Sequence, residues 1–294
     1  MVATTPVRQR RALLIVVLLL ALVALGGGLW WSYRTPPSPP SASHPPVSPL
    51  AAADVTRIRV RHGSDLVMIQ RKNPQAPWHL TAPVHAPVDP PHLEAMLTLL
   101  GKPAERRYAP DAIADTTTGL KSPTLVVQFN QHAPIDIGGR GPSRGSRYVR
   151  TPHDLLLANL PDLTGLHWSW THWISPALVP PHRQLEKLVL PHFTLDRDKQ
   201  GDWQAQPRGQ RSAAAVAATM QAWQRARALT VVPADESRQR LARVTLVFRH
   251  SPPRHLDIIE RDPNLILRDP ALGVDYHLAG NRIGPLLEIR HPGL

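Results

Sequence analysis

The chain has 294 residues, an apolar fraction of 42%, 33 prolines and a formal charge of +12 at neutral pH. That length allows two modest domains with real cores. Cysteine is absent, which excludes a disulfide framework, a thiolate nucleophile, a cysteine-ligated metal and a lipid anchor on cysteine.

Residues 1–34 hold Arg8, Arg10, Arg11 and Arg34 and no acid. The remaining positive charge is spread among interspersed acids. That mildly basic background favours anionic surfaces such as lipid headgroups or acidic glycans, and it is not the stripe of a nucleic-acid binder. Ala12 to Trp31 reads ALLIVVLLLALVALGGGLWW, twenty residues without a charge, the length that crosses a bilayer as a helix. The preceding arginines put residues 1–11 in the cytoplasm and everything after Trp31 outside, in the periplasm of a two-membrane envelope. Trp30, Trp31 and Tyr33 fall where an interfacial aromatic belt is expected. A cleaved signal peptide is the alternative, with Gly26-Gly27-Gly28 as a small-residue site; the length of the run and the aromatic pair favour an uncleaved inner-membrane anchor. Residues 32–53 include TPPSPPSASHPPVSPLAAA, which predicts a stiff extended spacer rather than part of a core.

The remainder contains a diverged internal repeat. VTRIRV at Val55–Val60 and LEKLVL at Leu185–Leu190 both predict half-buried strands. A second short strand and a tryptophan follow in each copy, Trp78 in APWHL and Trp203 in GDWQA. Then comes a helix. Asp89 is the expected N-cap of the first, Pro90 its first residue, and Gly101 and Pro103 its stop. Leu93, Met96, Leu97 and Leu100 form its apolar face. Ser212 caps the second helix, and Val216, Met220 and Trp223 form its face. LVVQF (125–129) pairs with VTLVF (244–248), IDI (135–137) with LDI (256–258), and YVRTP (148–152) with LILRDP (265–270). The expected fold is α+β: two tandem repeats of a strand-strand-helix-strands unit, each helix packed on a mostly antiparallel sheet, after an N-terminal transmembrane helix. The expected boundaries are 54–166 for the first unit, 167–182 for a Trp-rich connection and 183–294 for the second unit.

VTRIRV, the tryptophan of APWHLTAPV, the helix DPPHLEAMLTLL, the stretch PDAIADTTTGLKSPTLVVQF and RYVRTPHDLLLA together resemble the bacterial domain-of-unknown-function 4340 family. The resemblance covers about residues 54–165 well and 183–290 more faintly. It implies tandem copies behind an N-terminal membrane anchor, in association with cell-envelope ABC transport systems of the gliding type. It implies no catalytic residues.

Several stretches invite a chemical reading. His79, His85 and His92 lack the i, i+4 spacing that places two imidazoles on one helical face, and no carboxylate cluster accompanies them, so no metal is expected. HWSWTHW, 167–173, carries Trp168, Trp170 and Trp173, which can stack on a sugar, lie at a membrane interface or pack the seam between the units. GPSRG, 141–145, matches a nucleophile elbow in letters, but it precedes a strand where the elbow precedes a helix, and a hairpin is expected. Arg140, Arg144, Arg147 and Arg150 crowd that glycine-rich loop and form the candidate anion site. Asp111 and Asp115 are assigned to capping and solvation.

No cofactor and no nucleic-acid partner are expected. The chain reads as a non-enzymatic accessory or scaffold subunit, bound to the inner membrane and to envelope proteins. The alternative is a binding module for an anionic glycan or lipid. A hydrolase, which would need Ser143 or a histidine to meet an acid, ranks last.

Overall fold

The computed structural model describes residues 46–164, 168–198, 200–207 and 212–289. The expected cytoplasmic tail, the transmembrane helix at 12–31 and most of the proline-rich tract lie outside them. Among the described residues, no helix is long and apolar enough to cross a membrane.

Nine strands form the first sheet: β1 (Arg57–His62), β2 (Asp65–Gln70), β3 (His79–Ala82), β4 (Ala86–Pro87), β5 (Ala104–Tyr108), β6 (Leu125–Phe129), β7 (Ile135–Arg140), β8 (Ser146–Arg150) and β9 (Leu155–Asn159). Their order across the sheet is β4-β3-β2-β1-β6-β7-β8-β9-β5. Eight more form the second: β10 (Leu185–Val189), β11 (Thr194–Arg197), β12 (Trp203–Gln206), β13 (Thr230–Pro233), β14 (Ala242–Phe248), β15 (Ser251–Glu260), β16 (Leu265–Asp269) and β17 (Val274–Leu278). Their order is β12-β11-β10-β14-β15-β16-β17-β13. Apart from β4, the two orders coincide position by position.

The expected α+β class is therefore corrected. The described chain is mostly antiparallel β, and its two longest helices, Pro90–Gly101 and Ala213–Arg225, have only 12 and 13 residues. Caps and an i, i+3, i+4, i+7 face make a helix conspicuous, whereas short or charged strands leave little pattern. AERRY of β5 does not alternate cleanly, and WQAQ of β12 is only four residues long. The ten-residue β15 runs through Pro252-Pro253, where proline argues against a strand.

Alternation explains the sheets where it is present. Ile58 and Val60 of β1 and Leu125, Val127 and Phe129 of β6 point into the core, with polar or half-exposed residues between them. Each helix follows the hairpin at one end of its sheet, and the next strand returns to the opposite edge, β5 on β9 and β13 on β17. The first helix buries Met96, Leu99 and Leu100; the second buries Val216, Met220 and Trp223 among others. The hairpin tryptophans have one local role in both sheets. Arg71 stacks over Trp78 at 4.7 Å and Arg197 over Trp203 at 4.9 Å.

After β5 the chain folds over β7, burying Thr118 and Leu120. Gly119 takes a φ of 69° there, and a side chain on Gly138 would collide with the Thr118 carbonyl, so both glycines serve this close approach. The described end of the proline-rich tract also packs down. Val47 donates its N–H to the Lys102 carbonyl at 2.9 Å and is buried, so residues 46–50 belong to the folded body rather than to a free spacer.

The segment between the sheets works as a strap. Its residues exchange backbone hydrogen bonds with both halves. Asp89 N–H meets the Trp173 carbonyl at 2.8 Å and Ser175 N–H the Pro87 carbonyl at 2.8 Å. On the other side, Leu178 N–H reaches the Ala226 carbonyl at 3.1 Å and Ala228 N–H the Pro176 carbonyl at 2.9 Å. Residues 173–178 thus lie between the entry to the first helix and the exit from the second. One apolar cluster runs through both sheets and this strap.

Candidate functional site

The glycine-rich arginine loop is the hairpin between β7 and β8. The buried Ser146 hydroxyl closes it by donating to the Ser143 carbonyl at 2.8 Å and accepting from Ser143 N–H at 3.1 Å. Loop residues line a hollow of about 510 Å³. Arg140 and Arg147 are cross-strand partners, and Arg144 is exposed in the turn. Arg140, Arg144 and Arg147 line that hollow, whereas Arg150 does not. Arg147 donates to the Gly138 carbonyl at 3.2 Å, and Arg150 makes a two-pronged contact with Asp115. That contact holds the Asp115 carboxyl below the usual carboxylate range and raises the guanidinium. Arg140 and Arg144 remain without an ion pair among the described residues. Ser143 is an exposed hairpin residue, so the elbow-like letters do not build an elbow.

The tryptophans lie at the seam. Trp173 is completely buried, its ring 6.1 Å from Trp168 and 5.5 Å from His92; Trp168 and Trp170 are half-buried against the core. The histidines separate into two places. His79 and His85 stack at 5.4 Å, and burial lowers the His79 pKa, opposed by its bond to the Pro77 carbonyl. His92 Nδ1 lies 2.9 Å from Asp89 Oδ2. Asp89 stands at the expected N-cap position but makes no side-chain cap bond; it turns instead to His92 and to Arg227 of the second half, 3.6 Å away. Ser212 does cap, accepting from Ala215 N–H at 3.2 Å. Among the described residues no three His, Asp or Glu groups gather as metal ligands.

Sequence reasoning missed a row of charges crossing the second sheet. Arg243 on β14, Asp257 on β15, Arg268 on β16 and Asp275 on β17 are successive cross-strand partners. Arg243 grips Asp257 at 2.6 and 3.2 Å, and Arg268 grips Asp275 at 2.8 and 2.9 Å. On the core side of the same strands, Arg254 bonds Asp269 at 2.8 Å and the Leu178 carbonyl of the strap at 2.6 Å, beneath Tyr276. The available signal was charge inside strongly apolar strands, LILRD and VDYHL. In the first sheet the matching partners are Asp136 and Arg150. Burial raises the Asp136 pKa against the pull of Arg150 and Arg61.

The outer face of β1, β2 and β6 differs. Arg57, Arg59 and Arg61 alternate along β1, all exposed, beside exposed Leu66 and half-buried Met68. None of the three arginines forms an ion pair among the described residues; Arg59 only approaches Gln128 at 3.4 Å. A larger hollow, about 780 Å³, lies where residues 46–50 cross the ends of β6 and β7. Set against protein-family models, curated proteins and solved structures, the chain matches none of them.

Proposed function

We propose that this chain is a membrane-anchored accessory or scaffold protein of the cell envelope. Its sheets stand on the periplasmic side of the inner membrane and hold partner proteins of a complex, of the ABC-transport kind that the family resemblance implies. The observation that carries this reading is the strap. Backbone bonding on both sides of residues 173–178, with Arg254 on Leu178 and Arg227 near Asp89, ties two sheets into one body able to keep partners at a fixed spacing. The unpaired arginines and exposed Leu66 of β1 and β2 give that body a face suited to an acidic protein surface with an apolar centre.

The alternative, an anionic glycan or lipid held by the β7–β8 loop, is weakened because Arg150 and Arg147 already have partners. The test is crosslinking of the full-length protein in its own membranes, followed by purification and identification of attached proteins. The reading expects a reproducible set of envelope subunits, reduced when Arg59 and Arg61 are both replaced by Glu. An unchanged set in that variant contradicts the assigned face, and recovery of the chain alone contradicts the scaffold reading.

A further inference from the structure

We propose that the first sheet carries a binding site for a lipid with an anionic headgroup, where the chain enters the fold at Pro46. Two adjoining hollows carry the inference. The larger, about 780 Å³, is in the size range of small-molecule sites and has apolar walls supplied by Val47, Leu50, Phe129, Ile135 and Pro152. Its acid, Asp154, is bound to Arg107 at 2.6 Å. The smaller, about 580 Å³, is lined by Arg57, Arg71 and Lys72 with Gln70, Asn130 and His132 among its polar neighbours, and no acid lines it. His132 lines both hollows, so a cationic depression opens beside an apolar one.

The cations differ in availability. Arg71 is committed to carbonyls of Val55, Pro74, Ala52 and Ala53 and to the Trp78 ring, so it supplies fixed positive charge. Arg57 and Lys72 are exposed, and among the described residues their side chains have no hydrogen-bond or ion-pair partner. They are free to turn onto a phosphate. Asn130 fixes the depression's floor, accepting from Thr56 and Arg57 N–H at 2.9 and 3.1 Å and donating to the Asp54 carbonyl at 3.0 Å. A headgroup on Arg57 and Lys72 would let an acyl chain lie against Leu50 and Phe129. Inorganic phosphate meets only the first requirement and a neutral detergent only the second.

The placement rests on the proposed anchor. With residues 12–31 in a bilayer, the chain is held to a lipid surface from which such a ligand can be drawn. The chemistry of the two hollows does not depend on it.

The test uses the full-length protein in a neutral detergent, with dioleoyl phosphatidylglycerol and dioleoyl phosphatidylcholine offered in equal amounts. Bound lipid is counted by native mass spectrometry. The proposal expects the anionic lipid to dominate in the unaltered chain. The Arg57→Gln/Lys72→Gln pair should cut its excess about thirtyfold, because the two cations together contribute about 2 kcal/mol near an anionic lipid. Leu50→Glu should reduce it as well, and Arg140→Gln/Arg144→Gln should leave it unchanged. Equal binding of the two lipids, or a preference that survives the Arg57/Lys72 pair or vanishes with the loop pair, overturns the site. Displacement by inorganic phosphate at a concentration no higher than the lipid's also overturns it, since phosphate alone would then bind as tightly as the whole lipid and the acyl chain would play no part. Retention after an alkaline carbonate wash of native membranes reports on the anchor separately. A chain that washes off yet keeps its lipid preference sinks the anchor and leaves the site standing.

Discussion

The two sheets share a strand order but treat surface charge differently. On β10, β11 and β14 of the second sheet the charges are matched. Glu186 meets Arg249 at 2.7 Å, Lys187 stands opposite Asp196, and Arg243 is clamped on Asp257. On β1, β2 and β6 of the first, Arg57, Arg59 and Arg61 stand in a row without ion pairs among the described residues. Ion pairing at a sheet surface contributes little to stability, so leaving it out costs the fold little. It does leave a field for something else to meet. The lesson is one of division: the second sheet satisfies itself, and the first presents unsatisfied charge together with the two hollows.

The strap that joins them offers the hardest way to break this comparison. Trp173→Ala should cost about 3–5 kcal/mol, typical of a fully buried aromatic removed. Its loss should turn a single denaturant transition into two, followed by fluorescence and circular dichroism together. One coincident transition in the variant would mean the halves do not depend on the seam. Arg254→Met comes next. It leaves Asp269 buried without its cation and frees the Leu178 carbonyl, a change expected to cost about 3 kcal/mol by the same measurement.

Smaller changes sharpen the contrast between equivalent positions. Ser212→Ala should cost about 1 kcal/mol through its cap bond, read as a lowered denaturant midpoint. Asp136→Asn and Asp257→Asn should move in opposite directions in thermal melts at pH 7. Burial raises the folded-state pKa of Asp136, so its penalty is absent below the unfolded carboxylate pKa and fully present once pH exceeds the folded value; the amide relieves it. At Asp257 the amide instead loses the two-pronged grip of Arg243.

The smallest effect is a pH dependence peculiar to the first sheet. The folded-state pKa of His79 lies below its unfolded value, so its contribution is intact above about pH 6.5 and lost as pH falls through that value toward the folded one. Melting temperature should therefore drop less between pH 7.5 and 5.5 in His79→Gln than in the unaltered chain. An equal drop would assign the acid sensitivity elsewhere.

Much of the framework was legible. The alternation in VTRIRV and LVVQF identifies the inward-facing residues because one face of each strand is solvated. Ser212 and the face of Val216, Met220 and Trp223 are readable because helix signals are local. What was not legible depends on register. Nothing in LDI or LILRDP says that Asp257 and Arg268 stand opposite one another, because cross-strand neighbours are set by hairpin lengths and bulges. The same holds for Arg150, which looked like a loop cation until the chain between β5 and β6 brought Asp115 over it. Asp89 was legible as a position but not for its longer-range contact, since Arg227, its partner besides His92, lies in the other half. The larger hollow escaped notice for a related reason: it forms only when residues 46–50, which read as spacer, lie across the ends of β6 and β7.

The most direct test of the account places a photo-crosslinking amino acid at Leu66 or at Leu241, both exposed leucines, in the full-length protein within its own membranes. Leu66 lies beside the unpaired arginines; Leu241 borders the charge-matched sheet. The account predicts discrete protein adducts from position 66 and none, or far fewer, from position 241. Adducts of equal strength from both positions, or from 241 alone, would contradict it.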